Sequence, residues 1–172
     1  MGHSVLLVPV PALEPFIRER TAHYDTDYLS SDPRFIHAHI TALGPFLRHT
    51  DEVAAARIAE IASSTPAFDF ELAEIDTFPN GIIHLVPEPE GPFRELTTRL
   101  ATAFPQCPPY AGEFSDTRPH LTLDARSAAV SEESTRALLG ERIPVTTRAD
   151  RLDLAWYDAG NCRVIDSWRL GV

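Results

Sequence analysis

Apolar and polar residues alternate between short extended runs and helical stretches, and this order occurs twice along the chain. The β-rich run Leu7-Val8-Pro9-Val10-Pro11 is echoed by Leu85-Val86-Pro87-Glu88-Pro89. A stretch with a proline at its start and apolar residues three or four positions apart follows each run, a pattern typical of an amphipathic helix. These stretches contain Phe16, Ile17 and Arg20 in the first copy and Phe93, Leu96, Leu100 and Phe104 in the second.

A second helix and a hairpin are predicted after each copy. Residues 51–63 and 131–139 each begin with a helix-capping residue, and Val53, Ile58 and Ile61 fall on one face of the first helix. Pairs of extended runs joined by a turn follow, over 68–78 with 82–86 and over 151–157 with 163–168. This order predicts an α+β protein in which residues 1–172 form a single bilobal domain with an internal duplication. Each of its two pseudo-symmetric lobes is a small antiparallel sheet with helices on the outer face, and a groove lies between the lobes.

The same tripeptide pattern, His-x-Thr, occurs once in each copy. It reads His39-Ile40-Thr41 in the first and His120-Leu121-Thr122 in the second, and the two histidines are 81 residues apart. In a strand, residues two apart project from the same face, so each histidine shares a face with its threonine while the residue between them points into the core. If the lobes are related by a pseudo-twofold axis, two imidazoles and two hydroxyls converge in the groove.

This set of groups suits phosphodiester chemistry. One imidazole can accept a proton while a second, protonated imidazole donates one, so a histidine pair can serve as general base and general acid without a metal. Threonine hydroxyls can donate hydrogen bonds to non-bridging phosphate oxygens as negative charge develops on them. We therefore predict His39, His120, Thr41 and Thr122 as catalytic residues.

These segments resemble a known family. Residues 38–46, AHITALGPF, and 118–123, RPHLTL, look like the two signature motifs of the 2H phosphoesterase superfamily, and the stretch from 93 to 120 resembles bacterial 2'-5' RNA ligase-like proteins. The resemblance covers nearly the whole chain. It implies a bilobal fold with both motifs in a central cleft, no cofactor, and metal-independent hydrolysis of 2',3'-cyclic phosphates, related cyclic phosphodiesters or 2'-5' linkages.

Further residues near the motifs are candidates for substrate binding. Arg118 and His37 each lie two positions before a motif histidine, so both are predicted to face the groove, where Arg118 would contact a phosphate. Arg126 resembles an arginine of RNA ligase-like relatives, although it could instead pair with Asp124. The aromatic candidates to stack on a base are Phe46, Tyr110, Phe114, Trp156 and Tyr157. His37 and His39 also have a spacing that metal sites use, but no third ligand is evident, so we predict no metal.

Composition limits the partners. The chain has 25 acidic residues and 15 arginines, contains no lysine, and carries a net charge of −10. Such a surface repels long polyanions, so we expect a nucleotide or an RNA terminus as substrate rather than a long nucleic acid. The isolated Cys107 and Cys162 indicate neither a disulfide framework nor a zinc site and favour the cytoplasm. No stretch has the length of a membrane span, and we expect a monomer.

Three hypotheses remain open from the residues. The first is a metal-free cyclic phosphodiesterase, in which the symmetry hides which histidine is the acid. The second is a binding protein for nucleotides or RNA ends that has lost turnover, and the third is a metal-dependent hydrolase. The family resemblance adds a 2'-5' RNA ligase as a further alternative. Substrate choice is expected to depend on the loops over 25–33 and 107–117.

Overall fold

A computed structural model describes residues 1–114 and 117–172 of the chain. Eight strands and four helices follow in the order β1, α1, β2, α2, β3, β4, α3, β5, α4, β6, β7, β8. The strands are β1 His3–Pro9, β2 His39–Leu43, β3 Phe68–Thr77, β4 Ile82–Glu88, β5 Leu121–Ala125, β6 Val145–Ala149, β7 Arg151–Tyr157 and β8 Arg163–Arg169. The helices are α1 Glu14–Tyr24, α2 Glu52–Ser63, α3 Gly91–Ala103 and α4 Glu132–Leu139.

The strands form two four-stranded antiparallel sheets, as the α+β prediction requires. The first sheet has the order β2-β1-β7-β8 and the second has the order β5-β4-β3-β6. The first sheet therefore combines strands from both ends of the chain, whereas the second uses only its middle. Both predicted hairpins form, but each pairs with strands of the other half. The β3–β4 hairpin lies in one sheet with β5, and the β7–β8 hairpin lies in the other sheet with β1. The sequence pattern does not predict β6, because residues 145–149 belong to no recognisable repeat.

The helices begin as the sequence indicates. The Asp51 side chain accepts a hydrogen bond from the Ala54 backbone N–H at 2.8 Å, and Ser131 forms a capping box with Ser134 at the start of α4. One predicted position is wrong. Val53 is 68% exposed, because Ala54, Ile58, Ile61 and Ala62 form the buried face of α2.

The two sheets share one core and meet at their edges. β2 and β5, each the outermost strand of its sheet, lie against one another, and a single cluster of buried apolar residues draws on both sheets. Helix α3, which follows β4, packs on β2, while α1, which follows β1, packs on β5. Each of these helices therefore joins its own half to the edge strand of the other. None of the helices in the described parts of the chain is long and apolar enough to cross a membrane.

The strand registers show how the halves correspond. Leu7 of β1 pairs with Thr41, His84 of β4 pairs with Thr122, and a bulge precedes Leu7 and His84 alike. The two halves are thus offset by 77 residues in these strands and by 81 residues in the motifs. The prolines at the starts of α1 and α3 are also 77 apart. The Leu-Val-Pro echo, whose offset is 78, is therefore one residue out of structural register. In both halves the same number of residues separates the matched strand position from the proline at the start of the helix.

Candidate active site

The two motif histidines make the same backbone contact on their respective edge strands. His39 Nδ1 lies 2.8 Å from the His37 carbonyl oxygen, and His120 Nδ1 lies 2.8 Å from that of Arg118. A carbonyl oxygen only accepts, so each Nδ1 carries the proton and donates it. The Nε2 lone pair of each neutral ring remains available to a ligand. The intervening Ile40 is fully buried, as predicted.

A cavity of about 360 Å³ opens beside these strands. His39 and Thr122 both line it, which places one residue of each motif at the same opening. Most of the remaining wall is apolar or aromatic. It is formed by Ile17, Arg20, Thr21, Tyr24, Asp25, Tyr28, Phe35, His37, Ile82, Leu123, Asp124, Ala125 and Tyr157. A cavity of this size and lining can hold a mononucleotide-sized molecule.

Burial lowers the pKa of both motif histidines. For His39, burial is the main cause and the charge of His37 adds to it, while the Glu14 carboxylate acts in the opposite direction. For His120, burial again comes first, and positive charge on His84 and His39 lowers the pKa further. The effect of the His39 charge on His120 means that the two rings lie within electrostatic range of each other. Both rings are therefore poised as neutral bases near pH 7, and an anion between them would favour protonation of one.

The threonines differ in their surroundings. Thr122 is exposed to the cavity, whereas Thr41 is half-buried and hydrogen bonds with the Tyr110 hydroxyl. Tyr110 also donates its backbone N–H to the Gly44 carbonyl at 2.7 Å, and its ring lies 6.2 Å from the His120 ring at 21°. Its φ of 51° is a left-handed conformation that non-glycine residues rarely adopt. Tyr110 thus bridges the two motifs, and its contact with a substrate remains a prediction.

Comparisons with known proteins identify the family of the chain. A family model described as the 2'-5' RNA ligase superfamily matches residues 9–161. The chain belongs to this superfamily of 2H phosphoesterases. Its members are phosphoesterases and ligase-like enzymes. No curated protein sequence matches the chain.

Solved structures share the fold of this superfamily member at low sequence identity. E. coli LigT complexed with 3'-AMP is 17% identical, with a TM-score of 0.62 and 99% of each chain covered. TT0787 of Thermus thermophilus is 17% identical, with a TM-score of 0.63 and 98% of each chain covered. A protein described as a phosphoesterase, again 17% identical, has a TM-score of 0.55 over 100% of both chains. At this identity the likeness shows the fold.

His37 lines the cavity, and its contact with a substrate remains a prediction. His37 is buried, its Nδ1 lies 2.6 Å from a Glu14 carboxylate oxygen, and its Nε2 accepts the Ser30 backbone N–H at 3.1 Å. Both ring nitrogens are therefore occupied by the protein. His37 positions the backbone carbonyl that holds His39.

The two candidate arginines lie apart from the main cavity. Arg118 contacts the carboxylates of Glu90 at 2.5 Å and Asp76 at 3.5 Å, and it lines a small recess that also contains Thr41 and Tyr110. Its charge is thus largely neutralised by protein groups. Arg126 is exposed just beyond the cavity-lining end of β5, and the alternative pairing with Asp124 does not occur, because Arg20 of α1 takes that carboxylate at 2.7 Å. Phosphate binding by either arginine remains a prediction.

Of the aromatic candidates, Phe46 lies in the core and Tyr157 lies in the cavity wall. Phe46 is buried and packs edge-on against Phe104 at 4.9 Å, so its predicted stacking on a base is wrong. Tyr157 lines the cavity beside His39, with 6.0 Å between ring centroids. Of the two loops expected to shape the pocket, 25–33 contributes cavity residues. The 107–117 loop contributes Tyr110 to the small recess beside Arg118. Residues 115–116 of this loop lie outside the described residues.

Several site residues escape prediction from the sequence. Ile17, Arg20, Thr21 and Tyr24 face the cavity from α1, and their spacing of three, one and three residues is the signature of one helical face. In the sequence, Arg20 stands out only as part of that periodicity. The Tyr24 hydroxyl donates to Asp124, whose side chain is fully buried. His84, which belongs to no motif in the sequence, is completely buried next to His120.

The titratable side chains near the cavity do not group as metal ligands. Across residues 1–114 and 117–172, no three His, Cys, Asp or Glu side chains come together in a way that could hold a metal ion. Both cysteines are free and buried.

Proposed function

We propose that the chain is a metal-independent phosphodiesterase that hydrolyses 2',3'-cyclic phosphates, or related cyclic or 2'-5' phosphodiester bonds, of nucleotides or RNA termini. The observation that carries this proposal is the matched pair of Nδ1–H donations from His39 and His120 to backbone carbonyls. This tautomer leaves two Nε2 atoms on adjoining edge strands as the proton acceptor and, once protonated, the proton donor. Residues 1–172 would act as one bilobal unit whose halves arose by duplication.

In the proposed reaction, one Nε2 removes a proton from water while the water oxygen forms a bond to phosphorus. The other, protonated Nε2 gives its proton to the ribose oxygen as the bond from that oxygen to phosphorus breaks. The product is a phosphomonoester, and the proton gained by the first ring returns to the second through solvent. Thr122, and Thr41 after it releases Tyr110, would donate hydrogen bonds to the non-bridging oxygens.

The nature of the substrate is proposed from the cavity and from related structures. E. coli LigT has been crystallised with 3'-AMP, with ATP and with NADP+. The cavity here has the volume and aromatic wall that one nucleotide needs, and Tyr157 lies beside His39, where a base or ribose could pack against it.

A substrate panel tests the proposal. The purified chain is incubated with the four 2',3'-cyclic mononucleotides, a cyclic-phosphate oligoribonucleotide, a 2'-5'-linked dinucleotide and ADP-ribose cyclic phosphate, with and without EDTA. We expect turnover of at least one cyclic or 2'-5' bond at the same rate in both conditions. The double variant His39→Ala/His120→Ala is the control for a contaminating activity. Binding without turnover would indicate a nucleotide-binding protein, and loss of turnover with EDTA would contradict the metal-free mechanism. Formation of 2'-5' bonds from cyclic-phosphate and 5'-hydroxyl ends, without hydrolysis, would indicate a ligase.

A further inference from the structure

His84 is a completely buried histidine with one ring nitrogen that the fold does not use. It lies on β4, and its ring is stacked on Phe78 with 3.8 Å between centroids and 17° between planes. Its Nδ1 lies 3.1 Å from the Ile82 carbonyl oxygen, to which it donates. Its Nε2 is buried and has no hydrogen-bond partner among the described residues. A buried, unpaired ring nitrogen is costly, so this histidine calls for an explanation beyond packing.

The ring of His84 packs against the ring of His120. Their centroids are 5.4 Å apart at an angle of 69°, and Phe78 contacts His120 edge-on at 4.8 Å and 85°. Two rings thus form the inner wall behind this motif histidine. Leu7 occupies the position of His84 in the other half, since Leu7 pairs with Thr41 as His84 pairs with Thr122. The feature is therefore present on only one side of the pseudo-symmetric site.

The residues that support the two motif histidines through the backbone also differ in charge. The carbonyl that accepts the His39 proton belongs to His37, which contacts the Glu14 carboxylate at 2.6 Å. The carbonyl that accepts the His120 proton belongs to Arg118. A carboxylate near His39 favours a proton on that ring, while a second titratable ring, His84, lies against His120 and does not.

We propose that His84 is a positioning residue that keeps His120 neutral and thereby makes His120 the general base and His39 the general acid. This inference rests on the proposed function. His120 Nε2 then takes the proton of the attacking water, and His39 Nε2 protonates the departing ribose oxygen. Because His84 does not touch the reacting atoms, it acts only through the ring of His120.

The charges around His84 are consistent with this role. The groups that influence it are Asp76 on β3, Glu132 on α4, Arg118 before β5 and His120 itself. Burial lowers the pKa of His84, and the two carboxylates partly oppose that effect. For His120, burial and then the charges of both other histidines lower the pKa. Protonation of His84 or of His39 therefore disfavours a proton on His120.

Histidine titration by NMR tests the inference without requiring any activity. The ring-proton shifts of His120, His39 and His84 are followed with pH in the wild type, in His84→Phe and in His84→Leu. Phe keeps an aromatic ring between Phe78 and His120, and Leu is the residue found in the other half; neither takes up a proton. We expect the His120 midpoint to rise by roughly one pH unit in both variants and the His39 midpoint to move less. The exposed-residue variant His49→Gln controls for the loss of a histidine elsewhere.

The pH dependence of kcat/KM provides the second measurement. The acidic limb should follow the His120 midpoint. At a pH below the His120 midpoints of wild type and variant, the variants should therefore lose about tenfold more activity than at neutral pH. A change in His84→Leu alone would show that ring packing is the cause and would overturn the proposal. So would an unchanged His120 midpoint, or a wild-type titration in which His120 protonates before His39. Absence of turnover on every substrate would instead count against the proposed function, because the NMR result is independent of it.

Discussion

The edge strands β2 and β5 have the same backbone design but different surroundings. Each holds a histidine whose Nδ1 donates to the carbonyl two residues earlier, and each has the same register and bulge against its neighbour. Behind His39 lie His37 and the Glu14 carboxylate, whereas behind His120 lie His84 and Phe78. Matching strands therefore position two similar side chains, and non-matching neighbours can give them opposite roles in proton transfer.

Removing either motif histidine should have the largest effect. We expect His39→Ala and His120→Ala each to lower kcat by about 10² to 10⁴-fold, because each ring moves a proton in one transition state. The double variant should lose little more than the single ones, since the two groups act as a unit. Rates on a cyclic mononucleotide, with circular dichroism to confirm folding, provide the measurement. Near wild-type turnover by either single variant would disprove the two-histidine mechanism.

The threonines should matter less and unequally. Thr122→Val should lower kcat by about 10²-fold, the lower range for loss of one hydrogen-bond donor to a developing oxyanion. Thr41→Val should cost less, because the Thr41 hydroxyl is shared with Tyr110 while Thr122 is exposed to the cavity. Single-turnover kcat values for both variants test the order. Equal losses would show that the two hydroxyls contribute alike despite their different contacts.

The pH profile should reveal the histidine pair rather than either ring. The pKa of each ring is lowered from the ordinary value of 6.5, so the singly protonated pair that catalysis needs is most populated below that pH. We expect a bell-shaped kcat/KM with its maximum below pH 6.5. The maximum of kcat should lie at a higher pH, because the negative charge of bound phosphate favours the imidazolium. A kcat/KM profile that rises steadily through about pH 8 would contradict this.

Glu14→Gln should shift the alkaline limb of the kcat/KM pH profile, whereas the His84 variants should shift its acidic limb. The Glu14 carboxylate raises the pKa of His39, so its removal should move the alkaline limb of kcat/KM to lower pH by less than about one unit. A glutamine oxygen can still accept the Ala38 backbone N–H, which Glu14 accepts at 3.0 Å. The exposed Glu19→Gln on the same helix is the matched control. A shift of the acidic limb instead would reverse the assignment of acid and base.

Salt dependence should show the smallest effect. With a net charge of −10 and Arg118 paired to Glu90 and Asp76, few cationic groups remain to contact a phosphate backbone. The logarithm of the apparent affinity should fall with a slope corresponding to about one to three phosphate contacts, and short substrates should be turned over as well as long ones. A steep slope together with a marked preference for long RNA would contradict this expectation and would reveal an arginine surface that binds the phosphate backbone.

The sequence alone determined the local features of this protein. The His-x-Thr spacing fixes which side chains share a strand face, since alternation in a strand is a property of the backbone, and Ile40 and Leu121 are buried as that alternation requires. Capping residues and prolines placed the helix starts because their effect is confined to one turn. The paired motifs in two matched halves likewise indicated the α+β class and the family.

Tertiary structure decided everything that depends on which elements lie side by side. The chain order does not reveal that β1 pairs with β7, so that the lobes exchange hairpins, nor that α1 crosses to β5 and brings Arg20 to Asp124. Only packing shows that the ring nitrogens of His37 are hydrogen bonded to Glu14 and Ser30, and that His84 lies against His120. Most of these contacts join residues far apart in sequence, and no local pattern encodes them, because burial and charge at a side chain depend on the whole fold.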